Sequence, residues 1–140
     1  MNTKTRIARV LLADDHPELL AQIASVLKDE FAVVGSVTNG VELVTAAARL
    51  DPDVVVLDIT MPGLDGIEAA GRLKRAACRA KLVFLTVHED QDYVRAAMRS
   101  GGSAYVIKAR LASDLVPAIH EALDGRRFVS SPLVFGENQP

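Results

Sequence analysis

The stretch Asp53-Val54-Val55-Val56-Leu57-Asp58-Ile59-Thr60-Met61-Pro62-Gly63 constrains this chain more than any other. Four consecutive apolar residues, three of them β-branched, describe a strand buried on both faces, so structure must cover it above and below. The run then carries a carboxylate, Asp58, to the rim of the sheet. It breaks at Met61-Pro62-Gly63, where proline removes a backbone donor and glycine frees the backbone. Asp58 reads either as a turn or cap residue or as a functional group. The next helix has a nearer cap in Asp65, with Glu68 three residues on to complete a capping box. Locally, both readings of Asp58 stay open.

The rest of the chain supplies the covering layers. After a polar leader over 1–5, Val10-Leu11-Leu12-Ala13 is a short buried strand that starts near Ile7. It ends at Asp14-Asp15-His16-Pro17, where Pro17 suits the first position of a helix. Leu19, Leu20, Ile23, Ala24 and Leu27 recur at helical spacing to about Lys28. A second strand over 31–37, softened by Gly35 and Ser36, suits a sheet edge. Asn39-Gly40 turns into a helix carrying Val41, Leu43, Val44, Ala47 and Ala48, which ends at Asp51-Pro52. The helix after Asp58 runs over 65–75 with Ile67, Ala70 and Leu73 inward. Arg72, Lys74, Arg75, Arg79 and Lys81 gather near its end. Such cations could meet an acidic partner, but solvated charges complementing the helix dipole are the favoured reading.

Leu82-Val83-Phe84-Leu85 is a fourth strand ending in Thr86, and His88-Glu89-Asp90 leads into a helix with Tyr93, Val94, Ala97 and Met98. Gly101-Gly102 closes that helix. Ala104-Tyr105-Val106-Ile107 is a fifth strand ending in Lys108. The last helix carries Leu115, Ile119 and Leu123 and stops at Gly125. Its proline, Pro117, is tolerated if Ser113 is the cap and Pro117 falls in the first turn. Few helix signals follow Arg126.

Strand and helix thus alternate five times in 140 residues, enough for one domain with one sizeable core. The pattern is a doubly wound α/β domain. Right-handed crossovers make its strands parallel and bring their C-terminal ends to one rim, where such sheets place ligand sites. Those ends carry Asp14, Asp15, Asp58, Thr86 and Lys108. Carboxylates about 4 Å apart repel by a few kcal/mol even at an effective dielectric near 20, so a cation must join them or their pKa values must rise. Magnesium suits hard oxygen ligands and phosphate oxygens. With an ammonium from Lys108 and a hydroxyl from Thr86, the set fits stabilisation of a transferring phosphoryl group. Asp58 would then be the nucleophile that becomes an aspartyl phosphate.

Composition narrows the function classes. At 49% hydrophobic and 24% charged residues the chain is globular, not disordered. A net charge of −2 gives no electrostatic reason for nucleic-acid or anionic-membrane binding. Cys78 is the single cysteine, so no internal disulfide forms, and no signal or membrane span fits. A soluble cytoplasmic protein is expected.

Over residues 7 to 129 the sequence resembles the receiver domain of bacterial two-component response regulators. The matching residues are Asp14-Asp15, Asp58-Ile59-Thr60-Met61-Pro62-Gly63-Leu64-Asp65-Gly66, Thr86, Tyr105 and Lys108. His16-Pro17, His88-Glu89-Asp90 and Arg127-Phe128-Val129-Ser130 resemble the NarL-type subfamily, whose members usually continue into a LuxR-type helix-turn-helix. The resemblance implies a flavodoxin-like fold with five parallel strands in the order 2-1-3-4-5. It implies a receiver over 1–129 and a short tail over 130–140 with no output domain. A sensor histidine kinase would phosphorylate Asp58, with Mg²⁺ held by Asp15, Asp58 and the Thr60 carbonyl and Asp14 acting through water. Lys108 would pair with the phosphoryl group. Thr86 and Tyr105 would form a switch in which the Tyr105 ring turns in from a solvent-facing rotamer. The chain would act on itself only, as a regulatory phosphoacceptor rather than an enzyme. Its partner would be a downstream effector protein or a second copy.

Departures from the family pattern matter. No room remains for an output domain, so the chain reads as a single-domain regulator or an excised fragment. Ala109 stands where many receivers have a proline in a cis peptide. A cis bond before a non-proline residue costs roughly 2.5–4 kcal/mol, so Lys108-Ala109 is expected to be trans unless the site holds it cis. Val87 is bulky where many receivers are small. Thr60 and His88 occupy positions that tune dephosphorylation in the family. Rival readings are weaker. A haloacid-dehalogenase-like phosphatase needs a second acid where Thr60 stands, and a flavin or nucleotide module needs a phosphate-cradling loop where Asp14-Asp15 would repel phosphate. A phosphorylation-independent pseudo-receiver that only binds partners is the more serious rival, and the complete acidic set argues against it.

Overall fold

The computed structural model describes residues 6–135; the leader over 1–5 and the final five residues lie outside it. Among the described residues, six strands and five α-helices alternate. They are β1 (Arg9–Ala13), α1 (Pro17–Leu27), β2 (Ala32–Val37), α2 (Gly40–Leu50), β3 (Val54–Leu57) and α3 (Gly66–Arg75). Then come β4 (Lys81–Thr86), α4 (Gln91–Arg99), β5 (Gly102–Ile107), a 3₁₀ turn at Lys108–Arg110, α5 (Leu111–Leu123) and β6 (Phe128–Val129). The sheet order is β2-β1-β3-β4-β5-β6 and every pairing is parallel. The doubly wound sheet and the 2-1-3-4-5 order are as expected. The expectation of five strands needs correction, because Phe128–Val129 adds a sixth beyond β5. Two residues give too little periodicity for sequence to mark a strand; the β5 edge supplies the pattern by pairing with them.

Two-residue alternation divides the core. Val10, Leu12, Val54, Val56, Val83, Leu85 and Val106 point to the face covered by α1 and α5, against Ile23, Leu27, Leu115 and Ile119. Leu11, Ala13, Val55, Leu57, Phe84 and Tyr105 point to the other face, against Leu43, Leu73, Val94 and Met98 of α2, α3 and α4. All four β3 residues are buried, so the central strand is apolar on both faces for the reason its sequence suggests. The edge strand β2 is half-exposed along most of its length.

Local signals set the boundaries. Pro17 opens α1 at its first turn. Asp65 and Glu68 exchange both bonds of a capping box, 2.8 Å and 3.3 Å, at the start of α3. Of the basic group near the end of α3, Arg79 reaches back to Asp51 at 3.3 Å and Asp53 at 3.4 Å. Asp53 also accepts from the Arg9 amide and Arg6, which tie the starts of β1 and β3 together. The expected Ser113 cap is not what starts α5. That helix begins at Leu111, and Pro117 sits in its interior. Ser113 is exposed and Pro117 lies at the helix surface, so water can satisfy the Ser113 carbonyl that proline leaves without a helical donor. The Ser113 hydroxyl instead donates to Asp114 Oδ1 at 3.0 Å.

Asp114 is a buried charge that organises the last strand. Its carboxylate accepts from Arg110 Nε at 2.8 Å and from the buried Ser130 hydroxyl at 2.7 Å. Ser130 Oγ in turn accepts from the Ile107 amide, and the Ser130 amide donates to the Tyr105 carbonyl. Burial raises the Asp114 pKa, but the bonds from Arg110, Ser130 and Ser113 outweigh it and hold the carboxyl below its usual value. A carboxyl depressed in the folded state stabilises fully above the unfolded pKa near 4 and loses that contribution as pH falls through the folded value. Asp114→Ala should cost about 1–3 kcal/mol in urea unfolding at pH 7, by leaving the buried Ser130 hydroxyl without its acceptor. The variant should also lose less stability than the wild type between pH 5 and pH 3.

Candidate functional site at the strand ends

Backbone pairing carries the reactive side chains to one place. β1 and β3 run in register with Ala13 opposite Leu57. The ladder continues one step further, the Asp58 amide donating to the Ala13 carbonyl at 3.0 Å and the Asp14 amide to the Val37 carbonyl at 3.1 Å. Asp14 and Asp58 thus leave adjacent strands side by side. On the other flank Thr86 lies opposite Ile107, which puts Lys108 one residue beyond the paired region.

Lys108 joins the two sides. Its Nζ lies 2.8 Å from Asp14 Oδ2 and 2.8 Å from Asp58 Oδ2, with only 13% of the lysine side chain exposed. Burial pulls the Lys108 pKa down, but its bonds to Asp14 and Asp58 outweigh that and raise it. Burial likewise raises the Asp14 pKa, and hydrogen bonds from Lys108 and His16 reverse the effect and hold it below the usual range. Both shifts stabilise the charged pair. The Lys108-Ala109 peptide is trans, as its cost dictates, and a 3₁₀ turn after the strand delivers the ammonium.

Asp58 is fixed from three directions. Its Oδ1 accepts from the Ile59 amide at 2.7 Å, its Oδ2 meets Lys108, and its own carbonyl lies under the start of α3. A Cβ on Gly66 would come 2.0 Å from that carbonyl oxygen, and the Gly66 amide donates to the Ile59 carbonyl at 2.7 Å. Only glycine lets the helix start so close behind the carboxylate.

Asp15 sits differently. His16 donates its backbone amide to Asp14 Oδ1 at 2.9 Å, and its Nδ1 lies 2.9 Å from the same oxygen. Asp15 Oδ1 is also only 3.0 Å from Nδ1, but one ring proton serves one acceptor well, and Asp14 takes it. Among the described residues, Asp15 Oδ1 is the buried side-chain oxygen left with no hydrogen-bond partner. The hydrogen bond to Asp14, followed by the Asp15 charge, raises the His16 pKa.

The outer wall is the segment between β4 and α4. The Thr86 hydroxyl, fully buried, accepts from the His88 amide at 3.4 Å. His88 Nε2 lies 2.8 Å from Thr60 Oγ1, and its ring stacks on Tyr93 at 4.1 Å between centroids. The Tyr105 hydroxyl donates to the His88 carbonyl at 2.7 Å. Tyr105 is wholly buried, so this structure holds the inward ring, not the solvent-facing rotamer expected from sequence. The reason is physical: inward, the ring packs beside Phe84 and its hydroxyl finds an acceptor. Burial, then the Asp58 charge, pushes the Tyr105 pKa up. Val87 projects outward, 63% exposed.

Asp14, Asp58 and Lys108 therefore meet directly, Asp15 lies beside the His16 ring nitrogen that bonds Asp14, and Thr60, Thr86 and Tyr105 meet at His88. The convergence on His88 is not legible in the sequence, because it depends on a loop whose shape the strand pattern leaves open. A histidine five residues before a tyrosine is its one faint signal.

Residues 10–120 match the family described as the response regulator receiver domain. The chain belongs to that family. The receiver is 34% identical to the nitrate/nitrite response regulator NarL of Escherichia coli K12 over 129 residues, covering 90% of this chain and 59% of NarL. It thus spans about three-fifths of the length of such curated relatives. Among solved structures it resembles a LuxR-family two-component response regulator from Aurantimonas, with TM-score 0.85, 33% identity, and 90% of this chain and 91% of that one covered. It also resembles the isolated receiver of RcsB from Salmonella enterica serovar Typhimurium with the phosphomimetic BeF3⁻, at TM-score 0.83 and 27% identity, covering 90% and 95%.

Receivers bind Mg²⁺ at an acidic pocket, and the donors of this receiver fit such an ion. Ligand atoms of Asp14, Asp15 and His16 lie within 4.8 Å of one another, and the orphaned Asp15 oxygen is a buried hard donor in want of a cation. Because Lys108 neutralises two buried carboxylates, Lys108→Met should destabilise the receiver by about 3 kcal/mol in thermal or urea unfolding. Added Mg²⁺ should recover more stability in that variant than in the wild type, since a second cation then replaces the missing ammonium.

Proposed function

We propose that Asp58 of this receiver accepts a phosphoryl group from the phosphohistidine of a sensor kinase. The observation that carries the reading is the Lys108 ammonium held 2.8 Å from both Asp58 and Asp14, with Asp14 in turn part of a cluster with Asp15 and His16. In the transfer, an Asp58 carboxylate oxygen forms a bond to phosphorus while the phosphorus–nitrogen bond of the donor breaks and the imidazole leaves with its electron pair. Asp14 touches the same ammonium, but its other oxygen is taken by both the amide and the ring of His16. Asp58 has its other oxygen held by the Ile59 amide alone, with Oδ2 facing Lys108. Lys108 balances the charge that builds on the transferring group. Asp15, Asp58 and the Thr60 carbonyl would hold Mg²⁺, with Asp14 acting through water, and the ion would supply further neutralisation of the phosphoryl oxygens.

The same reading makes the chain a regulatory phosphoacceptor of the cytoplasm rather than an enzyme with external substrates. Thr86 and Tyr105 would transmit the charge change to the face formed by α4 and β5, where an effector protein or a second copy docks. The phosphate can shift that equilibrium only by its differential affinity for the two states. Incubation with acetyl phosphate and Mg²⁺ should add a single phosphate by intact mass, and Asp58→Asn should add none. Equal labelling of the variant would remove Asp58 from the role.

A further inference from the structure

At the end of the strands opposite the acidic site the local charge is reversed. Residues 72–81 hold five cations, Arg72, Lys74, Arg75, Arg79 and Lys81, and no carboxylate, in a chain whose net charge is −2. The dipole of α3 makes little demand on them, because backbone donors already close its end. The Ala77 amide donates to the Lys74 carbonyl and the Cys78 amide to the Leu73 carbonyl, both at 3.0 Å, with Ala77 left-handed at φ 58°. The nearest carboxylates are committed elsewhere. Asp53 holds Arg6 and the Arg9 amide, and Asp51 and Asp53 share Arg79. Among the described residues, the Lys74 and Lys81 ammoniums make no ion pair.

Both lysines border a recess of about 190 Å³ between the end of α3 and the first residues of β4 and β5. Lys74, Arg79 and Lys81 line it with Cys78, Gly101 and Ser103, and no acid does. Two backbone features shape it. β4 and β5 shift register between Leu82 and Val83, which leaves Ser103 as the extra residue on β5. Gly101 lies against the Lys74 side chain: a Cβ there would come 3.2 Å from Lys74 Cδ and 3.9 Å from its Nζ. Like charges around one recess repel, and an anion between them removes that cost. The Ser103 hydroxyl adds a neutral donor. At roughly 30 Å³ per water the recess has the space of about six waters, enough for a compact anion and too little for a helix or strand. We propose that this recess binds a small polyvalent phosphate anion, with Lys74 and Lys81 as its charged ligands and Ser103 as hydroxyl donor. A phosphate suits it better than a single carboxylate, because it carries more charge and accepts at more oxygens. The site lies at the far end of the strands from Asp58 and does not depend on the phosphoryl transfer proposed above.

Pyrophosphate, added to the full chain without Mg²⁺, is the probe. Cys78 lines the recess and is the single cysteine, so its alkylation by iodoacetamide reads occupancy at this place. Alkylation should slow several-fold and saturably, and the Lys81 and Ser103 amide resonances should shift over the same concentration range. Lys74→Met and Lys81→Met should each raise the pyrophosphate concentration for half-protection roughly tenfold, the loss of one charge-assisted contact. Arg72 does not line the recess, so Arg72→Met should leave that concentration nearly unchanged. Sodium chloride at matched ionic strength should protect little. Equal protection by sodium chloride would reduce the effect to screening and overturn the site. Undiminished protection in the doubly substituted Lys74→Met, Lys81→Met chain would overturn it as well. A hexaglutamate peptide that protects at lower concentration than pyrophosphate would overturn the small-anion assignment in favour of an acidic protein partner.

Discussion

The Lys108 ammonium between Asp14 and Asp58 is the interaction on which the rest of the site depends. Three strands converge to make it, and none of them could place its own residue usefully alone. β1 and β3 bring two carboxylates to adjacent positions, a juxtaposition that costs a few kcal/mol when both are charged and partly buried. β5 then supplies the one cation, among the described residues, in direct contact with both. The arrangement is not the most stable packing for those positions, since buried ion pairs seldom outperform apolar residues of similar size. Chemistry offers a better account: a buried carboxylate facing a fixed positive charge suits the phosphoryl transfer to Asp58 proposed above.

The orphaned oxygen of Asp15 belongs to the same account. A buried carboxylate oxygen with no donor is costly, and native proteins leave few such atoms. His16 approaches it but spends its proton on Asp14. A hard divalent cation beside Asp14 and Asp15 would resolve that deficit, which is how the donors of this receiver fit such an ion.

How much of this is legible in the sequence follows from what kind of signal each feature leaves. β3 is legible because burial on both faces leaves an uninterrupted apolar run. The α3 cap is legible because Asp65 and Glu68 satisfy backbone donors at a fixed spacing. Asp14, Asp58, Thr86 and Lys108 can be grouped because parallel strands share one rim, and that needs only the element order. Features that depend on loops and tertiary pairing leave no such trace. Phe128–Val129 is a strand only because the β5 edge is open to it. Ser130 and Asp114, sixteen residues apart, meet through a turn with no periodic pattern. Helix propensity alone places Pro117 in a first turn because proline breaks helices; exposure of the affected carbonyl lets the helix run through it. The Tyr105 rotamer is set by the His88 carbonyl, a backbone atom that side-chain pattern does not address.

The segment between β4 and α4 is built so that a change at Asp58, the proposed acceptor, would travel without disturbing the core. Val87 projects into solvent, while His88 is held by three bonds, to Thr60, Thr86 and Tyr105. Net contributions of such bonds are about 1 kcal/mol each, whereas displacing a buried leucine or phenylalanine costs several times as much. In the proposed switch the two apolar clusters on either face of the sheet would therefore stay fixed while the polar contacts around His88 exchanged partners. Typical coupling energies of about 1–3 kcal/mol match the exchange of one or two such bonds. An interaction network weak enough to be rewritten by one added phosphoryl group, seated on a scaffold too strong to follow it, is what a reversible switch requires.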